Sequence, residues 1–134
     1  MARRLIMDTG VLIAAERFRL TLRAAIAEDD DVVLAAVTVA ELRAGIELAE
    51  TRHRERRSEF VAQLLETIPI EPYSLATAGE HGRLLAHVQR TGTRRGAHDL
   101  IIAATAAATR RTIITSDRAA RFGDLPGIDC VILE

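Results

Sequence analysis

The sequence contains no lysine and only one cysteine, so all 18 basic residues are arginines. A Walker-type phosphate loop, a response-regulator receiver and a Schiff-base enzyme each need a lysine amine, and the sequence excludes all three. A single cysteine, Cys130, excludes an intrachain disulfide and fits a reducing compartment. Its position in the apolar run Cys130-Val131-Ile132-Leu133 indicates a buried small hydrophobic residue rather than a reactive thiol.

Aromatic residues and net charge are also scarce. The chain has three phenylalanines, one tyrosine and no tryptophan, and its formal net charge is −1. A sheet that stacks RNA bases on aromatic side chains is therefore not expected. Coating of nucleic acid by bulk positive charge is not expected either.

Long hydrophobic runs are missing as well. Arg3 and Arg4 precede an apolar stretch that superficially imitates a secretion signal, but Asp8 interrupts it after three residues. No later run approaches the roughly 20 residues that span a bilayer. These features predict a cytoplasmic protein without a membrane segment, and the length of 134 residues suits a single domain over 1–134.

Short apolar strands alternate with helices along the chain. Strands are predicted at 4–8, 32–35, 68–70, 112–115 and 129–133. Helices are predicted at 11–27, 38–49, 52–67, 74–89 and 97–110, with a single helical turn at 118–122. This alternation indicates βαβ crossovers and a parallel sheet that is covered on both faces. We therefore predict one α/β/α domain with a central parallel sheet of four to five short strands.

Four acidic residues lie where predicted strands and helices begin or end: Asp8, Glu41, Asp99 and Asp117. In an open α/β sheet, such positions converge on the crevice at the carboxyl ends of the strands. Carboxylates gathered there repel one another and are costly to desolvate unless a cation shares them. Because hard oxygen ligands suit Mg²⁺ or Mn²⁺, the sequence predicts a divalent-metal site.

Each acid also has a structural interpretation. Asp8, Asp99 and Asp117 could each cap a helix, and Thr38-Val39-Ala40-Glu41 matches the capping-box pattern. Capping explains each acid singly but explains poorly why four of them sit on separate elements of one parallel sheet. Their combination favours a functional site.

Four segments together resemble the PIN-domain family. They are Asp8-Thr9 after an apolar strand, residues 37–45, residues 98–104, and Thr115-Ser116-Asp117 with Phe122 close behind. More narrowly, the chain looks like a VapC-type toxin ribonuclease over essentially its whole length. The resemblance implies a three-layer PIN-like domain and a Mg²⁺- or Mn²⁺-dependent endoribonuclease. It also implies a homodimer and inhibition by a cognate antitoxin protein encoded beside it.

By motif position, Asp8, Glu41, Asp99 and Asp117 match the acidic residues of the family, and Thr115 matches a hydroxyl position that supports the site. We expect Asp8 and Asp99 to hold metal directly, and Glu41 and Asp117 to hold it directly or through water. Thr9 is expected to orient Asp8. Some relatives carry a further acid or an asparagine beside the last aspartate. Ser116 and Arg118 stand there in this chain, so a second metal position stays open.

Parts of the sequence are also compatible with two other functions. Asp8-Thr9-Gly10 is also the signature of aspartic proteases, but that fold is almost entirely β, whereas this chain is rich in predicted helix. A catalytically silent binding module of the same fold is the stronger alternative. Acids at all four positions argue against it, and an assay of RNA cleavage separates the two.

The arginines form two groups. Those between residues 52 and 57 interleave with glutamates and indicate a solvated, ion-paired helix face. Arg90, Arg94 and Arg95 are instead predicted to lie unpaired in a loop leading to Asp99, where they would contact the RNA backbone. For His98, a simple helix-start position is favoured over a contact with RNA phosphate.

The sequence also predicts a surface groove for an antitoxin helix. Five apolar residues would line it: Leu12, Phe18, Leu22, Phe60 and Leu64. The alternative is that all of them face the core, and the sequence does not separate the two interpretations.

Overall fold

The computed structural model describes residues 2–17 and 26–133. The strands are Arg4–Met7 (β1), Asp31–Ala35 (β2), Ile70–Glu71 (β3), Thr112–Thr115 (β4) and Cys130–Ile132 (β5). The helices are Thr9–Arg17 (α1), Ala36–Leu48 (α2), Thr51–Thr67 (α3), Leu75–Thr91 (α4) and Ala97–Thr109 (α5). Two 3₁₀ turns, Arg118–Ala120 and Phe122–Asp124, follow β4.

The five strands form one parallel sheet in the order β3-β2-β1-β4-β5. The predicted parallel sheet and α/β/α class are confirmed. From the central strand β1 the chain builds β2 and β3 on one side, and it then returns to build β4 and β5 on the other. The reversal places a crevice at the carboxyl ends of β1 and β4, which is where open α/β sheets bind ligands.

Alternate residues of the strands face opposite layers of helices. Ile6 and Ile113 belong to a core cluster with α4 and α5. Leu5 and Ile114 belong to a second cluster with α1, α2 and α3. Both sheet faces are therefore buried, which explains why the strands read as continuous apolar runs rather than as alternating patterns.

The start of α2 differs from the prediction. The helix begins at Ala36 directly after β2, and its N-cap residue Ala35 makes no side-chain capping hydrogen bond. Thr38 is fully buried inside the helix, and its hydroxyl has no hydrogen-bond partner in the described part of the chain. The capping-box interpretation of Thr38 and Glu41 is therefore wrong, because Thr38 is already inside the helix.

The starts of α4 and α5 also bear on the capping interpretations. Ser74 caps α4, since its hydroxyl accepts a hydrogen bond from the Thr77 amide at 3.2 Å. Helix α5 begins at Ala97, so Asp99 lies in the first turn and Gly96 occupies the N-cap position. Asp99 is thus not an N-cap residue.

Within the described ranges, no helix is both long and apolar enough to cross a membrane.

Candidate active site

Asp8 is fixed at the end of the central strand. Its amide donates to the Ile114 carbonyl at 2.9 Å, which continues the pairing of β1 with β4 past the strand end. The side chain is only 6% exposed, and its two oxygens accept from the Thr9 amide at 2.8 Å and from the Thr115 hydroxyl at 3.0 Å. Burial raises the pKa of Asp8, the two hydrogen bonds oppose that rise, and the charges of Glu41 and Asp117 add to it.

Thr115 connects Asp8 with Asp117. Its hydroxyl is buried at the end of β4, donates to Asp8 and accepts from the Asp117 amide at 3.0 Å. Asp117 Oδ1 accepts from the amides of Ala119 and Ala120 at 2.9 and 3.2 Å, and so caps the 3₁₀ turn Arg118–Ala120. The capping interpretation of Asp117 is confirmed. Both capping hydrogen bonds go to Oδ1, so this cap is compatible with a place for Asp117 among the acids of the crevice.

Glu41 extends from α2 into the same crevice. Its Oε1 accepts from the Thr9 hydroxyl at 2.8 Å, and its Oε2 lies 3.4 Å from Nδ1 of His98. Thr9 therefore orients two acids, Asp8 through its amide and Glu41 through its hydroxyl. The sequence did not predict either contact of Glu41, and the only available signal was that Thr9 and His98 are direct neighbours of acidic residues.

Asp99 shows the electrostatic character of the crevice most clearly. The side chain is half-buried in the first turn of α5. Burial, followed by the negative charges of Asp8, Asp117 and Glu41, raises its pKa to about 6, and His98 acts in the opposite direction. A carboxyl influenced by three others is held in an environment that favours either protonation or a shared cation.

The donors of the crevice are all oxygens apart from His98, which suits a hard cation. Among residues 2–17 and 26–133, no three His, Cys, Asp or Glu side chains form a ready-made group for holding a metal ion. Mg²⁺ commonly keeps several waters and is bound through only one or two carboxylates, so it does not require such a closed group. The acids present therefore fit a hydrated divalent cation.

The three arginines expected to contact RNA lie in different environments. Arg94 is exposed in the loop before α5, whereas Arg90 lies in the last turn of α4 rather than in the loop. Arg95 donates from Nη1 to the carbonyls of Ala120 and Arg121, both at 2.6 Å. The prediction that Arg95 is unpaired is wrong, because the 3₁₀ turn after β4 presents two carbonyl oxygens to it.

The residues predicted to line the antitoxin groove differ in their burial. Leu12 is fully buried in the second core cluster, and Phe60 and Leu64 are half-buried against that cluster. For Leu12 the core interpretation is therefore the correct one. Phe18 and Leu22 lie outside the described residues.

A cavity of about 490 Å³ lies away from the acids, at the edge of the sheet where β4 begins. Its lining includes Arg83 and Arg111. Arg83 is engaged by Glu80 and by the Pro126 carbonyl, and Arg111 by Asp31. The charges of these two arginines are already matched within the chain, so the acidic crevice remains the better candidate for chemistry.

Known proteins resemble the chain over most of its length. The PIN domain family model matches residues 5–126. Ribonuclease VapC5 from Mycobacterium tuberculosis is 36% identical over 117 residues, which cover 84% of this chain and 82% of that protein. The crystal structure of VapBC-5, a toxin–antitoxin family member from Mycobacterium tuberculosis, matches at 30% identity with a TM-score of 0.79, over 97% and 98% of the two chains.

A more distant relative supports the fold alone. VapBC2 from Rickettsia felis, solved in complex with a promoter DNA fragment, matches with a TM-score of 0.87 over 98% of this chain and 99% of that chain, at 18% identity. The fold, the family-model match and the sequence identity agree, and the chain belongs to the PIN-domain family, among its VapC-type members.

Proposed function

We propose that this chain is the ribonuclease toxin of a toxin–antitoxin pair, and that it hydrolyses RNA phosphodiester bonds with the help of Mg²⁺ or Mn²⁺. The observation that carries the proposal is the convergence of four carboxylates at the carboxyl ends of β1 and β4, where Thr9 and Thr115 fix the orientations of Glu41 and Asp8. Burial and the three neighbouring carboxylates also raise the pKa of Asp99 to about 6. Such a cluster is costly to maintain for structure alone, and perturbed carboxyls in a crevice are typical of functional sites.

When bound, a divalent cation would neutralise the non-bridging phosphate oxygens, make a water nucleophilic and stabilise the leaving oxygen. Asp8 and Asp99 are the residues that would hold it directly, and Glu41 and Asp117 would do so directly or through water. The hydroxyls of Thr9 and Thr115 keep Glu41 and Asp8 in fixed orientations, as the outer partners of metal ligands do.

Contact with the RNA backbone is proposed for Arg94 and Arg90, since both are exposed near the loop that leads to Asp99. Arginine is well suited to this role because its planar guanidinium binds phosphate oxygens in a bidentate manner. Arg95 is left out of the proposed contact surface because its Nη1 atom is engaged by two backbone carbonyls.

The proposed partners are a cognate antitoxin, RNA and a second copy of the chain. The VapBC-5 relative is a member of a family of toxin–antitoxin systems, which supports the antitoxin. The homodimer and a cytoplasmic location rest on the resemblance and on the sequence features described above. Light scattering of the purified chain measures its mass and tests the dimer.

Cleavage of a mixed RNA substrate by antitoxin-free protein tests the proposed activity. We expect cleavage with Mg²⁺ and with Mn²⁺ and its loss in EDTA. Cleavage that continues in EDTA would contradict the metal dependence. A wild-type chain that binds RNA without cutting it in either metal would instead favour the catalytically silent binding module.

A further inference from the structure

Arg95 connects the loop that precedes α5, the helix that carries Asp99, with the 3₁₀ turn that Asp117 caps. Its Nη1 donates to the carbonyls of Ala120 and Arg121, which lie 25 and 26 residues further along the chain, both at 2.6 Å. The side chain is half-buried, and its Nε is buried without a hydrogen-bond partner among the described residues. The Arg95 guanidinium therefore binds backbone carbonyls of the chain rather than pointing freely into solvent.

At one end of this connection lies the 3₁₀ turn that Asp117 caps. Asp117 accepts hydrogen bonds from the amides of the turn, and Arg95 donates to its carbonyls, so the turn is held from both sides. Arg121 lies in the left-handed region, with φ 46° and ψ 48°. A non-glycine residue in that region needs support from its surroundings.

At the other end, Arg95 directly precedes Gly96, the N-cap residue of α5. The Gly96 carbonyl accepts from the Leu100 amide at 3.2 Å. A Cβ atom at position 96 would lie 3.0 Å from Oδ2 of Asp99. The backbone beside Arg95 therefore lies close to the carboxylate of Asp99, and a shift of this loop would change the surroundings of that carboxylate.

We infer that Arg95 is a positioning residue that fixes the separation of Asp99 and Asp117 by tying the loop before α5 to the turn after β4. The two carboxylates repel each other, which favours an outward movement of the segments that carry them. The tether resists that movement without touching RNA or the reacting atoms. This inference rests on the proposed function, because the separation matters only if the two acids share a cation.

The chain offers a matched control for the tether. Arg83 also donates from Nη1 to a loop carbonyl, that of Pro126, at 2.7 Å, and it lies outside the crevice. Arg83→Ala thus removes a guanidinium–carbonyl contact of the same kind, together with an ion pair to Glu80, and leaves the acids of the crevice in place. Gly96→Ala is a second probe, since it leaves the tether intact but presses directly on Asp99.

Binding of Mn²⁺ in the absence of RNA, followed by electron paramagnetic resonance of the free ion, provides a readout that does not depend on cleavage. We expect Arg95→Ala to raise the Kd for Mn²⁺ about tenfold, the lower end of the range for residues that orient metal ligands. Arg95→Lys keeps a cationic donor, so its Kd should fall between those of Arg95→Ala and wild type. Gly96→Ala should also raise the Kd, and Arg83→Ala should leave it at the wild-type value.

Cleavage kinetics separate positioning from RNA contact. Arg95→Ala should lower kcat and leave KM unchanged. An increase in KM with kcat retained would overturn the inference in favour of an RNA contact. If the Kd of Arg95→Ala for Mn²⁺ equals that of Arg83→Ala, the contact of Arg95 is purely structural and the inference is wrong.

If Arg95→Ala does not fold, Arg95→Lys and Gly96→Ala provide the same comparison, and wild-type Kd values for Mn²⁺ in both variants would contradict the inference. A wild-type chain that neither binds Mn²⁺ nor cuts RNA would contradict the proposed function itself.

Discussion

The acids at the amino edge of the sheet, where the strands begin, differ in their partners from the acids at the carboxyl edge, where the strands end. At the edge where β1 and β2 begin, Asp30 lies 2.6 Å from Arg3, and Asp31 lies within 3.2 Å of both Arg4 and Arg111. At the carboxyl edge, the hydrogen bonds to Asp8 and Glu41 come from threonine hydroxyls and a backbone amide, and His98 is the one ion-pair partner that the crevice acids have in the described structure.

The pKa values of two aspartates record the difference. Arg3 and the Ala27 amide donate to Asp30 and lower its pKa to about 2. Burial and three like charges raise the pKa of Asp99 to about 6. The negative charge of an aspartate is therefore compensated by arginine where the strands begin, and it is left largely uncompensated where the strands end. A cation from outside the chain would complete the second edge in the way that arginine completes the first.

Exchange of one carboxylate for an amide at each edge should produce the largest contrast. Asp99→Asn should reduce RNA cleavage by roughly 100-fold or more, since it removes a proposed direct ligand. Asp31→Asn should leave cleavage per folded molecule unchanged and lower the free energy of unfolding by about 1 kcal/mol, because the Asp31 side chain is 46% exposed. Cleavage assays and urea unfolding of the same preparations measure both effects. Equal cleavage by the two variants would remove the distinction between the edges.

Removal of the buried cation at the structural edge should affect stability alone. Arg111 is 4% exposed and donates to the carbonyls of Leu5 and Asp31 as well as to the Asp31 carboxylate. We expect Arg111→Ala to lower the free energy of unfolding by roughly 2–3 kcal/mol, less than for a fully buried pair because Asp31 is 46% exposed. Affinity for Mn²⁺ should remain at the wild-type value. A loss of Mn²⁺ affinity at full folding would mean that the two edges are coupled.

The pH dependence of stability should differ between the edges in sign and in range. The pKa of Asp99 is raised above its unfolded value, so in EDTA its contribution lowers the free energy of unfolding as pH rises from about 4 to about 6. The pKa of Asp30 is lowered, so its contribution is present above about pH 4 and is lost as pH falls towards about 2. Asp99→Asn should remove the first trend and Asp30→Asn the second, as measured by urea unfolding across this range. The same trend in both variants would contradict the assignment of these carboxyls.

Local sequence signals predicted the features that depend on them. The apolar runs located β1, β2 and β4 within one residue at each end, because buried parallel strands read as continuous hydrophobic segments. The position of Asp8 and Asp117 then followed from the rule that strand ends converge at a topological reversal. The start of α2 was missed because Ala35 provides no side-chain signal at the N-cap.

Features that depend on distant backbone were beyond the reach of the sequence. The partners of Arg95 are backbone carbonyl oxygens at the 3₁₀ turn some 25 residues away. Because every residue has a backbone carbonyl, the sequence does not indicate which of them a distant arginine will bind. The hydrogen bond from Thr9 to Glu41 spans 32 residues and depends on how α2 packs beside α1. The burial of Leu12 likewise became visible only once the helices were placed on the sheet.

Thermal unfolding with and without Mn²⁺ tests most directly whether the uncompensated acids form a cation site. At about 100 times its Kd, an ion that binds only the folded state contributes about 2.7 kcal/mol, which corresponds to a rise in Tm of roughly 10 °C for a domain of this size. We expect that rise in wild type and in Asp31→Asn, and its near-complete loss in Asp8→Asn. An equal rise in Asp8→Asn would show that the ion binds elsewhere and would contradict the proposed site.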